Sequence, residues 1–178
     1  MIVSHKYAFI FIKTEKTAGT ALEVQLNSML GPDDIATKIF PREPGHKAQN
    51  DTVNGIELYN HCPATLVRDA IGPDLFNQYT KFCVEREPVD KCVSYFSMYQ
   101  NSEFHNEDTK DRTWEEFMAE GGFPTCDDKY LDHDGTLLVD QILRYENLEA
   151  ELLSYSNASA CRFPASTPKQ KVVFEPKN

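Results

Sequence analysis

The chain has 178 residues, 40% of them hydrophobic and 26% charged, with a net charge of −10 at neutral pH. That length supports one domain with a substantial core, and no stretch of the composition marks a linker between two. The acid excess argues against nucleic acid and anionic membrane as partners, and no apolar run reaches the roughly 18 residues of a membrane span. Cys62, Cys83, Cys92, Cys126 and Cys161 form no CxxC pair, so free buried thiols are expected, without a disulfide framework or a metal site. The N-terminal apolar patch lacks a cationic leader and a small-residue cleavage site, so it reads as a first strand and the expected location is cytoplasmic.

In chain order, Tyr7 to Ile12 is an unbroken apolar run suited to a strand covered on both faces. Leu22, Leu26, Met29 and Leu30 then recur at helical spacing and predict a helix ending near Gly31-Pro32. Between them lies Lys13-Thr-Glu-Lys-Thr-Ala-Gly-Thr20. Ala18 and Gly19 allow close approach to the backbone, a helix N-terminus favours an anion, and Lys16 adds a point charge, which together read as a phosphate cradle. The GxxxxGK[ST] pattern of ATP- and GTP-binding loops needs a glycine before the lysine, where this chain has Glu15.

Pro32 to Gly55 reads as loop, with a short second strand over Thr37 to Phe40 and a solvated His46. Ile56 to Asn60 alternates as a strand and runs into His61, with Pro63 at a first helical position. A histidine at such a junction borders the ligand crevice of an open α/β sheet, so His61 is the candidate general base, with a backbone-satisfied cap as its alternative. Short helices follow to Tyr79, then a strand over Thr80 to Val84. A helix opened by Pro88 carries an apolar stripe of Val89, Cys92, Val93, Phe96 and Tyr99, with Ser94 off it. Arg86 supplies a fork and Ser94 a hydroxyl, the groups a phosphate dianion needs, while Glu85 adds a negative charge beside them.

Asn101 to Arg112 reads as a polar loop, and Thr113 with Glu116 as a capping box for a helix over Trp114 to Met118 that ends at Gly121-Gly122. From Glu103 to Asp134, eleven acids face Lys110, Arg112 and Lys129, concentrating −8 of the net charge there. Leu137 to Tyr145 is the last predicted strand, and Glu146 takes a structural place in the first turn of the last helix.

Lys16-Thr-Ala-Gly-Thr20 after a strand resembles the 5′-phosphosulfate loop of sulfotransferases that use 3′-phosphoadenosine 5′-phosphosulfate (PAPS). Phe82-Cys-Val-Glu-Arg86-Glu-Pro88 with Ser94 and Tyr95 resembles their 3′-phosphate motif, and Ile142 to Leu148 resembles a late strand-to-helix segment. The resemblance covers residues 7–100 and 137–153 and is closer to the carbohydrate-directed branch. It implies one three-layer α/β domain over residues 1–165, with a central, mainly parallel sheet similar to that of P-loop nucleotide kinases; the proline- and charge-rich tail over 166–178 reads as extended or poorly ordered. It also implies in-line sulfuryl transfer to an acceptor hydroxyl or amine, releasing adenosine 3′,5′-bisphosphate, with no metal. Lys13, Lys16, Thr17, Ala18, Gly19 and Thr20 would hold the phosphosulfate, Arg86 and Ser94 the 3′-phosphate, and His61 would take the proton. The acid excess favours a neutral or weakly charged sugar, lipid or small metabolite as acceptor. An ATP-dependent kinase and a non-catalytic nucleotide-binding module are the alternatives, and the sequence carries no signal for an oligomeric state.

Overall fold

The computed structural model describes residues 1–101, 111–121, 123 and 125–158. The N-terminal apolar patch becomes two strands, Ile2–Ser4 (β1) and Phe9–Ile12 (β2), paired antiparallel. A turn divides it, with Ala8 at φ 52° and Ser4 Oγ accepting the Tyr7 N–H, a local bond that competes with continued extension. Gly19–Asn27 (α1) follows, then Ile35–Ala36 (β3) and a ribbon of Thr52–Val53 (β4) with Ile56–Glu57 (β5). Ala64–Ile71 (α2), Pro73–Gln78 (α3), Thr80–Glu85 (β6), Pro88–Asn101 (α4), Trp114–Glu120 (α5), Asp127–Tyr130 (α6), Gln141–Arg144 (β7) and Leu148–Ala158 (α7) complete the described chain.

The central sheet has the order β3-β1-β2-β6-β7, with β2, β6 and β7 parallel and β1 antiparallel to both its neighbours. Successive residues of β2 point to opposite faces, as a strand requires. Phe9 and Phe11 join Phe82, Leu22 and Leu26 of α1, and Leu152 and Tyr155 of α7; Ile10 and Ile12 join Val67 and Ala70 of α2 and Phe76 of α3. Helices thus cover both faces. Phe82 anchors the first face, 5.2 Å from Phe11 and 4.8 Å from Tyr155 between ring centroids. Each buried ring of this kind contributes about 1.5–3 kcal/mol. A smaller cluster joins Cys92 and Phe96 of α4 to Phe117 of α5 and Trp114.

Three predicted strands are shorter or elsewhere. The second lies at Ile35–Ala36, where Ala36 meets β1 and bridges to Gln49, while Ile39 and Phe40 lie outside any strand and line a cavity. Ile56 to Asn60 forms only the two-residue β5, outside the central sheet. The last strand begins at Gln141, because Asp140 instead ties off β6 by accepting the Lys81 N–H at 2.7 Å. The helix at Gly19 stops at Asn27, short of Met29 and Leu30, and Pro63 precedes α2 as its cap. Thr113 and Glu116 form the expected capping box. Cys62, Cys83, Cys92 and Cys126 are free and buried; Cys161, the loop over 102–110 and the tail lie outside the described residues. No helix among the described residues is long and apolar enough to cross a membrane.

The three parallel strands end on one edge of the sheet, where the chain enters α1, α4 and the 145–147 turn before α7. Open α/β sheets bind ligands outside that edge.

Candidate functional site

Between β2 and α1 the backbone turns left-handed at Lys16 (φ 60°) and Ala18 (φ 58°). Such conformations in residues with a side chain cost about 1–3 kcal/mol each and persist only where surrounding bonds fix them. Here the bonds come from several elements. The Thr14 hydroxyl donates to the Val84 carbonyl, the Thr17 hydroxyl meets Thr14, and Arg86 Nη1 donates to the Lys16 carbonyl at 3.3 Å. The Glu15 N–H reaches Cys126 Sγ at 3.4 Å, and His61 Nδ1 lies 3.1 Å from the Lys13 carbonyl. Gly19 is required sterically, since a Cβ there would sit 2.8 Å from Lys13 Cγ. The first helical bond runs from the Leu22 N–H to the Ala18 carbonyl, so Gly19, Thr20 and Ala21 have N–H groups with no acceptor inside α1.

These groups open on a cavity of about 490 Å³ that Lys16, His61, Tyr95 and Tyr99 also line. Lys16 has no carboxylate partner within ion-pair distance among the described residues. Burial, and then the positive charge of Arg86, hold its ammonium pKa below the ordinary lysine value. An anion in the cavity would relieve both.

His61 occupies a turn between the ribbon and α2, with φ 60°, so the expected placement at the end of a sheet strand is corrected; the site is reached nonetheless. A carbonyl oxygen only accepts, so Nδ1 carries the proton toward Lys13 and the lone pair of the neutral ring is on Nε2. Burial, reinforced by the Lys13 charge, pushes the imidazole pKa down to about 4.

Lys13 and Thr17 line the cavity with their polar ends turned inward. Lys13 Nζ is 2.8 Å from Glu23 Oε2, and the pair is buried. The Thr17 hydroxyl is used within the loop, which leaves its backbone as what it can offer a ligand. Burial would raise the Glu23 pKa, but the ammonium groups of Met1 and Lys13 outweigh it and hold the carboxylate below its ordinary value. His46, expected to be solvated, is buried with Nε2 3.8 Å from Glu23 Oε1.

Arg86 and Ser94 are not on the wall of this cavity. Arg86 Nε and Nη2 grip Asp90 at 3.1 and 2.9 Å, and its guanidinium lies 4.2 Å from the centre of the Tyr145 ring. Ser94 is buried in α4. The extra charge of Glu85 is neutralised by Lys91 at 2.9 Å. Glu146 accepts the Glu87 N–H at 2.7 Å, a structural role as expected, although through a hydrogen bond across the crevice edge. Asp90, in the first turn of α4 and four residues after Arg86, was open to detection by spacing; the Lys13–Glu23 and Cys126 contacts had no local signal.

Fold and site define an α/β protein whose mostly parallel sheet ends at a strained loop presenting unpaired N–H groups and a lysine. No family model matches the chain, and no solved structure matches it. An uncharacterized protein of Archaeoglobus fulgidus is 30% identical over 96 residues, covering 51% of this chain and 75% of the archaeal one, and the chain belongs to the same family.

Proposed function

We propose that the protein is a sulfotransferase that moves a sulfuryl group from PAPS to an acceptor hydroxyl or amine. The observation that carries this reading is the convergence, in one cavity, of Lys16, the orphan N–H groups of Gly19 to Ala21 and His61 with its lone pair on Nε2. The donor set suits a tetrahedral oxyanion, and the cavity volume lies within the range of small-ligand sites. PAPS supplies the activated sulfuryl group on its 5′-phosphate. The N–H groups at the start of α1 and the Thr20 hydroxyl would hold that phosphate, and Lys16 would stabilise the charge on the bridging oxygen as its bond to sulfur breaks. As the acceptor oxygen or nitrogen bonds to sulfur, its proton would pass to His61 Nε2. A low imidazole pKa keeps the ring neutral and able to accept at physiological pH. Arg86 would meet the 3′-phosphate by exchanging Asp90 for it, with Ser94 on the same helix. The aromatic wall of Tyr95 and Tyr99 suits the apolar face of a neutral sugar ring.

The Arg86–Asp90 pair also favours a second reading. A guanidinium already satisfied by a carboxylate fits a nucleotide without a 3′-phosphate, as in an ATP-dependent kinase of P-loop kinship, or a module that binds nucleotide without turnover. The test is to incubate the protein with PAPS and a panel of sugars, amines and alcohols and to measure release of adenosine 3′,5′-bisphosphate. Release that falls by on the order of 10²-fold or more in both Lys16→Ala and His61→Ala supports the transferase. Consumption of ATP with magnesium over the same panel, with no release from PAPS, replaces it with the kinase.

A further inference from the structure

A second cavity, of about 600 Å³, lies behind the phosphate-type loop, and its chemistry is unlike that of the first. Val89, Met118 and Phe123 stand at its mouth as exposed apolar side chains, while Cys92, Trp114 and Tyr130 line it farther in. A folded chain leaves single apolar residues on its surface for no particular reason, but three gathered around one cavity mark a binding surface. The volume is that of a small-molecule site.

Charge selects the class of ligand. The two cations that line the cavity are both committed, Lys91 to Glu85 at 2.9 Å and Arg86 to Asp90 at 2.9 Å. While those pairs hold, no lysine or arginine of the wall among the described residues is left for a carboxylate, sulfate or phosphate. Asp127, an exposed acid of the wall, has no ion-pair partner among the described residues; its carboxylate accepts the Tyr130 hydroxyl at 2.9 Å. We propose that this cavity binds an apolar molecule carrying an ammonium head, its hydrocarbon body against Trp114, Cys92 and Val89 and its charge at Asp127. The cavity shares no lining residue with that around Lys16, and Arg86, proposed above for a 3′-phosphate, enters here only in its pair with Asp90.

Trp114 is the chain's only tryptophan and lines this cavity, so its fluorescence responds to a ligand there. Full-length protein is titrated with octylamine, octanol and octanoate at neutral pH, each below its micellar concentration. Octylamine should give a saturable one-to-one change, octanoate should bind at least tenfold more weakly, and affinity should fall about fourfold for each methylene removed from the amine. Val89→Lys, at a position 65% exposed and outside the core, should leave the melting temperature unchanged and weaken octylamine at least tenfold. Absence of a saturable change, octanoate binding as tightly as octylamine, or an unaffected Val89→Lys overturns the proposal. A wild-type dimer that Val89→Lys dissociates overturns it too, by making the cavity a contact between copies.

Discussion

Two junctions of the same topology behave oppositely. At the end of β2 the chain leaves a strand and enters α1 with first-turn N–H groups that have no acceptor inside the helix and Lys16 without a carboxylate partner among the described residues. At the end of β6 it leaves the neighbouring parallel strand and enters α4 with nearly every charge answered: Arg86 by Asp90, Lys91 by Glu85, the Asp90 N–H by Glu87 and the Glu87 N–H by Glu146. An anion can enter the first junction without breaking any protein contact, whereas at the second it must displace Asp90. The same fold element is left open in one place and braced in the other. The braced junction also supports the open one, because Arg86 donates to the Lys16 carbonyl.

The largest effect should come from the support under the open junction. Glu23→Ala would leave the Lys13 ammonium buried and unpaired, and breaking a buried ion pair costs about 3–5 kcal/mol. Chemical denaturation should show that loss; an unchanged midpoint would mean the loop does not rest on the pair. Lys16→Ala should leave stability nearly untouched and reduce turnover by on the order of 10²-fold, about 2.7 kcal/mol of transition-state stabilisation, with weaker loss of nucleotide binding.

A pH titration sharpens the contrast next. His61 has its folded pKa pushed down to about 4 from an unfolded value of 6.5, so between those values the unfolded chain binds a proton that the native protein refuses. Stability from this residue is complete above pH 6.5 and is lost as pH falls toward 4, by on the order of 2 kcal/mol once partial exposure is allowed for. His61→Asn should flatten the decline across that window relative to the wild type, measured by denaturation at each pH. The smallest effect belongs to the braced junction. Asp90→Asn frees the Arg86 fork from an exposed carboxylate, so it should cost no more than about 1 kcal/mol of stability and tighten adenosine 3′,5′-bisphosphate a few-fold. Weaker binding in that variant would show that Asp90 orients the arginine instead of competing for it.

Much of this was readable in the residues. The strand, small-residue turn and helix from Phe9 to Leu26 carried their own periodicity, and Thr113 with Glu116 announced its cap, because those signals are local. His61 was found for a reason that the fold corrects: it enters the cavity from a turn, fixed there by the Lys13 carbonyl 48 residues away in sequence. The inward turn of Lys13 toward Glu23, the burial of His46 and the reach of Cys126 to the Glu15 N–H were illegible, since each is a contact made only after the sheet has assembled. Short apolar runs misled for the same reason. Thr37 to Phe40 has the composition of a strand, but β1 offers its edge to Ile35 and Ala36.

The central claim is that the open junction and Arg86 together receive a nucleotide marked by a 3′-phosphate, and binding can be measured before any acceptor is known. A thermal-shift titration compares adenosine 3′,5′-bisphosphate with AMP, ADP and ATP, in wild type and Arg86→Ala, since a ligand of the native state raises the melting temperature with concentration. A charge-assisted hydrogen bond contributes about 1.5–3 kcal/mol, so the bisphosphate should bind at least tenfold more tightly than the others and lose that advantage in Arg86→Ala. If ATP with magnesium stabilises the protein as well as the bisphosphate does, and Arg86→Ala changes neither, the claim is contradicted.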